Sequence, residues 1–216
     1  MNNKLKRIQN GKLINTSLDL KESFNWACEG PHHLIPYKKS YKPHNKLDKN
    51  SKNLYGDHLR ELIKYTSKCE HITEIGHNVG HTARAFISHK PKTFRAYDIV
   101  DFSNNGIKEL CEANEIDYKF KTINSLDINI DEFEQTEFLW LDGNHSFEHV
   151  YKELIKFENK VQTYIFSDDI EAEGTPGPTG YGVLRAFNKF LNYNDKWELE
   201  VQNILGPGFI GIKRKK

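Results

Sequence analysis

Three acids stand where two short apolar runs end: Asp142 follows Phe138-Leu139-Trp140-Leu141, and Asp168-Asp169 follow Tyr164-Ile165-Phe166-Ser167. If the two runs are neighbouring strands, their carboxylates share one sheet edge. Carboxylates gathered that closely repel one another and retain protons unless a cation lies among them. An all-oxygen donor set with room for water suits Mg²⁺ or another hard divalent ion. The same residues also have a plainer reading, with Asp142 capping the next helix and Asp168 and Asp169 solvated in a loop. His145 lies three residues beyond Asp142. Its imidazole, with an unperturbed pKa of about 6.5, can accept a proton near neutral pH, or it can simply cap the helix.

The same stretch, His145-Ser146-Phe147-Glu148-His149, spells H-x-x-E-H, a pattern that sets two histidines and a glutamate on one helical turn for zinc. Against a peptidase, Phe147, Val150, Tyr151 and Leu154 already define this helix's buried stripe, and His149 falls beside it.

A second constellation begins at Glu74-Ile75-Gly76-His77-Asn78-Val79-Gly80-His81-Thr82. A strand that stops at a glycine-rich turn and restarts as a helix offers free backbone N–H groups in the crevice at a sheet's carboxyl edge. Gly76 allows the tight turn, and Gly80 lets a ligand approach the backbone. Asp98 closes the next apolar run, 22 residues after Gly76. A carboxylate there can accept hydrogen bonds from both hydroxyls of a ribose, so a bound nucleoside is expected. The turn is not a dinucleotide fingerprint, because Asn78 occupies the place of the second glycine, and no Tyr-x-x-x-Lys pair occurs anywhere.

These residues need a frame. Residues 57–68 have helical apolar spacing, with Asp57 as a candidate N-cap. Short apolar runs follow at 72–76, 93–99, 118–124, 137–142 and 163–168, separated by helical patterns at 81–89, 107–114 and 145–159. The link over 125–136 is too short and irregular for a full helix. This alternation predicts an α/β fold, a Rossmann-like doubly wound sheet that is mostly parallel and covered on both faces. After a helix at 181–191, the β-rich runs 197–204 and 209–213 flank Gly206-Pro207-Gly208, which predicts a C-terminal antiparallel hairpin. The Gly- and Pro-rich segment 171–181 reads as either a lid over the acids or a plain connector.

Residues 1–55 show no sustained period and contain Pro31, Pro36 and Pro43. They are expected to be an irregular arm or cap with a short helix around 18–28, preceding a single domain over 56–216. His32, His33, Tyr37, Tyr41 and Trp26 could line an acceptor pocket or pack on the surface. The net charge is +1, but residues 1–55 hold eleven Lys/Arg against four Asp/Glu (+7), leaving twenty against twenty-six (−6) in the rest. A basic arm can reach nucleic acid or an acidic surface, although a solvated, partly mobile extension is the plainer reading. No apolar run approaches the ~20 residues of a membrane span, and the N-terminus lacks a signal-peptide core. Cys28, Cys69 and Cys111 are widely spaced and without C-x-x-C, which fits a reducing cytoplasm. Oligomeric state stays open, a homo-oligomer included.

The pattern E-x-G-x-x-x-G-x-[ST] at 74–82 resembles the first motif of class I S-adenosylmethionine-dependent methyltransferases, particularly the catechol O-methyltransferase type, and five parallel strands with a terminal hairpin resemble that family's seven-stranded sheet. D-G-x-H-S-[FY]-E at 142–148 with Asp168-Asp169 looks like its metal-dependent O-methyltransferases, including the macrocin-type and cephalosporin-biosynthesis-type enzymes. The resemblance covers about residues 57–216, including GVLRAFNKF after the fifth strand, but not the arm. It implies a cofactor site at Glu74, Gly76, His77, Gly80, Thr82 and Asp98, with Asn124 and Ser125 near adenine. It further implies a divalent metal, Mg²⁺, on Asp142, Asp168 and Asp169, with His145 as general base and a small-molecule or sugar hydroxyl as acceptor. An Asp-Asp pair where some relatives have Glu-Asp is a departure that alters how the metal would be held. Two other readings stay open: a binding module that keeps the cofactor without turnover, and an RNA-directed methyltransferase docked by the arm. The absence of an N/D-P-P-Y/F motif argues only against methylation of base amino groups.

Overall fold

The computed structural model describes residues 4–9, 12–29, 54–170, 182–203 and 208–216. The segment 171–181, the arm residues His32, His33, Tyr37 and Tyr41, the Trp26 side chain and the turn residues 206–207 lie outside the described residues. Strands β1 (Lys4–Gln9) and β2 (Lys12–Ser17) form an antiparallel pair, followed by α1 (Leu20–Glu29). The helix agrees with the one expected at 18–28, whereas the pair stands where an irregular chain was expected. Helix α2 (Leu54–Thr66) then leads into β3 (His71–Ile75), α3 (His81–Ile87), β4 (Thr93–Asp98), α4 (Ile107–Ala113) and β5 (Asp117–Thr122). A 3-10 turn at Ser125–Asp127 replaces a crossover helix before β6 (Thr136–Leu141). The chain continues through α5 (Phe147–Phe157), β7 (Val161–Asp168), α6 (Gly182–Tyr193), β8 (Trp197–Asn203) and β9 (Phe209–Arg214).

Seven strands form one sheet in the order β5-β4-β3-β6-β7-β9-β8. Strands β3 to β7 are parallel, and β9 pairs antiparallel with both β7 and β8. The expected doubly wound, mostly parallel sheet with a terminal antiparallel pair is therefore present. The two-residue period of a strand places the core. On central β6, Phe138 and Trp140 enter a cluster with Leu59, Leu62, Ala83 and Phe86 of the helices α2 and α3. Leu139 and Leu141 enter the opposite cluster with Val150, Leu154, Val183 and Phe187 of α5 and α6. Both faces are covered, which is why β6 reads as an unbroken apolar run.

The chain starts at β3, builds outward to β5, then returns to β6 on the other side of β3. That reversal opens a crevice at the carboxyl ends of β3 and β6. The register fixes what borders it. Ile75 pairs with Tyr97 and with Leu141, and Leu141 pairs with Ser167. The next residues, Asp98, Gly76, Asp142 and Asp168, therefore stand in one row across four strand ends.

Candidate functional site

At the turn after β3 the backbone enters the left-handed region three times, at Gly76 (φ 89°), Asn78 (φ 45°) and Gly80 (φ 75°). A Cβ on Gly76 would collide with the carbonyl of Asp142. The glycine thus lets β3 and β6 close on each other, with Asp142 N donating to Ile75 O at 2.8 Å. Gly80 also serves packing. A side chain there would meet Ile107 at 2.7 Å and Asn105 at 2.8 Å, so this glycine admits the start of α4. Asp98 faces the turn. Its Oδ2 accepts from Asn78 N at 2.8 Å and its Oδ1 from Val100 N at 3.0 Å. Each carboxylate oxygen keeps one acceptor position open, two in all, which matches two ribose hydroxyls.

Beneath the turn, Glu74 and His77 are 1% and 2% exposed, and His77 Nδ1 meets Glu74 Oε2 at 2.5 Å. Burial, then the charges of Asp142 and Asp98, raise the Glu74 carboxyl well above its usual range. Burial holds His77 down at about 4, Asp98 opposing and Arg84 adding. Burial thus disfavours the charged form of both members of the pair. Thr82 is buried on α3. Asn124 accepts from Leu126 N at 2.9 Å as the cap of its 3-10 turn, and the Ser125 hydroxyl meets His149 Nε2 at 3.0 Å. Both side chains that the resemblance places near adenine are thus engaged locally.

The acid end is built around His145. Its Nε2 lies 3.3 Å from Asp142 Oδ1 and its Nδ1 3.2 Å from Asp169 Oδ2. Burial alone would lower this imidazole, but hydrogen bonds to Asp142 and Asp169 and their charges outweigh it and raise the group to about 10. Asp169 holds a left-handed φ of 58°, which keeps it off the line of β7. Burial, with the charge of Asp169, raises Asp142 against the opposing bond to His145. Asp168 is raised well above its range by burial, then by the charges of Asp142 and Asp169. It faces a residue that sequence reading missed: His58 Nε2 of α2 lies 3.3 Å from Asp168 Oδ1. His58 is 1% exposed, edge-on to Phe209 and Trp140. The signal was its spacing, four residues before Leu62 on the buried face of α2.

All three predicted acids and His145 therefore meet at one edge. Among the described residues, however, no group of three or more His, Cys, Asp or Glu is arranged to hold a metal. The H-x-x-E-H spelling is not a metal site either. His145 precedes α5 and turns to Asp142 and Asp169, while His149 turns to Ser125 and to Glu153 at 3.2 Å. Gly182, the first residue of α6, is a second missed residue. A Cβ there would collide with the carbonyl of His145 and lie 2.8 Å from Phe147 N, so α6 backs directly onto the turn that carries His145.

Neither a family model nor a curated protein matches the chain. Solved structures share its fold. The O-methyltransferase TomG from Streptomyces achromogenes, in complex with S-adenosylmethionine, aligns over 90% of each chain at 13% identity and TM-score 0.62. An O-methyltransferase from Bacillus cereus in complex with S-adenosylhomocysteine covers 94% of this chain and 93% of its own at 16% identity, TM-score 0.59. The S-adenosylhomocysteine-bound methyltransferase PaMTH1 from Podospora anserina covers 92% and 88% at 14% identity, TM-score 0.58.

Proposed function

We propose that this chain is an S-adenosylmethionine-dependent methyltransferase acting on a hydroxyl of a small molecule or sugar. The observation that carries the reading is the single row of strand ends, with Asp98 and the Gly76 turn on one side of the crevice and Asp142, Asp168 and His145 on the other. Asp98 would hold the ribose through its two open acceptor positions, and the turn at 76–80 would carry the amino-acid part. Solved structures of this fold include methyltransferases bound to S-adenosylmethionine or S-adenosylhomocysteine. The cofactor supplies an activated methyl group; the chain's task is to align an acceptor oxygen and remove its proton.

His145 is proposed for that proton. Held by two carboxylates it retains its own, and a ring released from them returns toward about 6.5, where it can accept one from the acceptor hydroxyl. The acids have suitable donors for a hard divalent ion, and the charge with which Asp142 and Asp169 raise Asp168 is the repulsion a cation relieves. Asp142, Asp168 and Asp169 would hold it after turning from His145 and His58, and it would lower the pKa of an acceptor oxygen. Parallel calorimetric titrations with S-adenosylmethionine, NADH and Zn²⁺ test the reading. Binding of S-adenosylmethionine without binding of NADH is expected; binding of NADH without S-adenosylmethionine would overturn it.

A further inference from the structure

The residue at the centre of the glycine turn, His77, makes no contact across the crevice. Both ring nitrogens are turned to protein partners, and the side chain is fully buried. Asn105, in the 3-10 turn before α4, brings its amide nitrogen within 2.8 Å of His77 Nε2 and donates to the carbonyl of Asn78 at 3.4 Å. An amide donating to Nε2 puts the imidazole proton on Nδ1, facing Glu74. Asn105 is itself fixed, since its Oδ1 accepts from Ile107 N at 3.0 Å and its carbonyl from Arg84 at 3.0 Å. The far side of the Asn78 residue is the group that touches Asp98: Asn78 N donates to Asp98 Oδ2. A continuous path thus runs from the end of β3 through His77, Asn105 and Asn78 to the end of β4.

The path bears on the backbone of Asn78. Asn78 is a non-glycine residue at φ 45°, a left-handed conformation that asparagine tolerates better than most residues and that neighbouring contacts help to hold. Released from Asn105, residue 78 can relax to negative φ, and its N–H then swings away from Asp98. Asp98, left with one backbone donor, is free to rotate.

On the reading given above, we propose that His77 is a positioning residue of the cofactor site, acting through Asn105 and Asn78 to hold Asp98 in the orientation that receives the two ribose hydroxyls. It reaches the ligand only through Asp98.

Two substitutions divide the ring's two ends. In His77→Gln the side-chain amide extends to the place of Nε2 and can still accept from Asn105. In His77→Asn the amide ends near Nδ1, keeping the link to Glu74 and losing that to Asn105. Asn105→Asp is isosteric, keeps the acceptor for Ile107 N and removes the donor to both His77 and Asn78. It carries the same test should His77→Asn fail to fold by circular dichroism. S-adenosylhomocysteine affinity is measured for each variant, alone and combined with Asp98→Ala. Expected are a loss of about tenfold for His77→Asn and Asn105→Asp, near-native affinity for His77→Gln, and less than twofold further loss when either is added to Asp98→Ala. An equal loss with and without Asp98 would overturn the positioning role, as would native affinity in both His77→Asn and Asn105→Asp. A native protein that does not bind S-adenosylhomocysteine would overturn the functional reading and this inference together. If the native protein binds and Asp98→Ala weakens it, the functional reading stands whatever the His77 variants do.

Discussion

At the scale of single residues, position was easier to foresee than direction. Asp98, Asp142, Asp168 and Asp169 were legible because a charged residue ending an apolar run marks a strand's carboxyl end. Which way His77 or Ser125 points was not, because that depends on partners such as Asn105 and His149 that are distant in sequence. If Asp98 receives the ribose, Asp98→Ala should weaken S-adenosylhomocysteine binding by about 2–3 kcal/mol, as loss of charge-assisted bonds does, read by calorimetry. His145→Ala should leave that affinity intact and slow methyl transfer roughly 10²–10⁴-fold; native turnover would return His145 to a structural role. Glu74 gives a pH prediction. Its folded pKa is raised, so its contribution to stability is complete below the unfolded value near 4.5 and is lost as pH rises through the folded value. His77 is depressed to about 4, so its contribution is complete above about 6.5 and is lost as pH falls toward 4. Glu74→Gln carries no proton to lose, so its melting temperature should gain on the native protein as pH rises from about 4.5 through the raised folded value of Glu74. A constant difference would mean Glu74 is ionised in the folded state.

At the scale of elements, close approach rather than propensity decides how the site is assembled. Gly182 opens α6 against the backbone of His145 and Phe147, and no sequence pattern marks it, because a helix-opening glycine looks the same whether or not something lies behind it. Gly182→Ala adds one methyl group where there is no room, so α6 or the 143–147 turn must shift. The expected result is a loss of about 1–3 kcal/mol in stability by denaturant unfolding, with a larger proportional fall in methyl transfer than in cofactor affinity. Equal falls in both would place the shift elsewhere. The strands and helices from residue 57 onward were readable for the opposite reason. Buried parallel strands such as β6 are continuous apolar runs, and α5 and α6 carry one apolar stripe each, so pattern and environment agree. The pair β1–β2 was not foreseen although Asn10-Gly11 stands between its strands as a two-residue hairpin signal, because charged residues dilute the apolar alternation on either side.

At the scale of the whole molecule, the basic N-terminal stretch is not one kind of structure. Its helix α1 belongs to the main core: Ala27 and Cys28 are fully buried with Leu59, Leu62, Ala83 and Phe86, and α1 packs on both α2 and α3. These two helices also bear on the site, α2 through His58 and α3 through the turn that precedes it. The charge asymmetry read from sequence therefore spans a division between residues that complete the core and residues that precede it. Two truncations separate them. Removing residues 1–18 takes away β1 and β2 and leaves the buried face of α1 intact, so folding and cofactor affinity should stay near native. Removing residues 1–29 uncovers the α2–α3 face, exposing the equivalent of two or three large apolar side chains at about 1.5–3 kcal/mol each. For a chain of 216 residues, at roughly 2–4 °C per kcal/mol, the melting temperature should fall by about 10 °C or more. Because α1 packs on α3, which starts at the glycine turn, S-adenosylhomocysteine binding should weaken in the same variant even below its melting temperature. Equal melting temperatures for the two truncations would mean that α1 contributes nothing to the core and that the domain begins with α2.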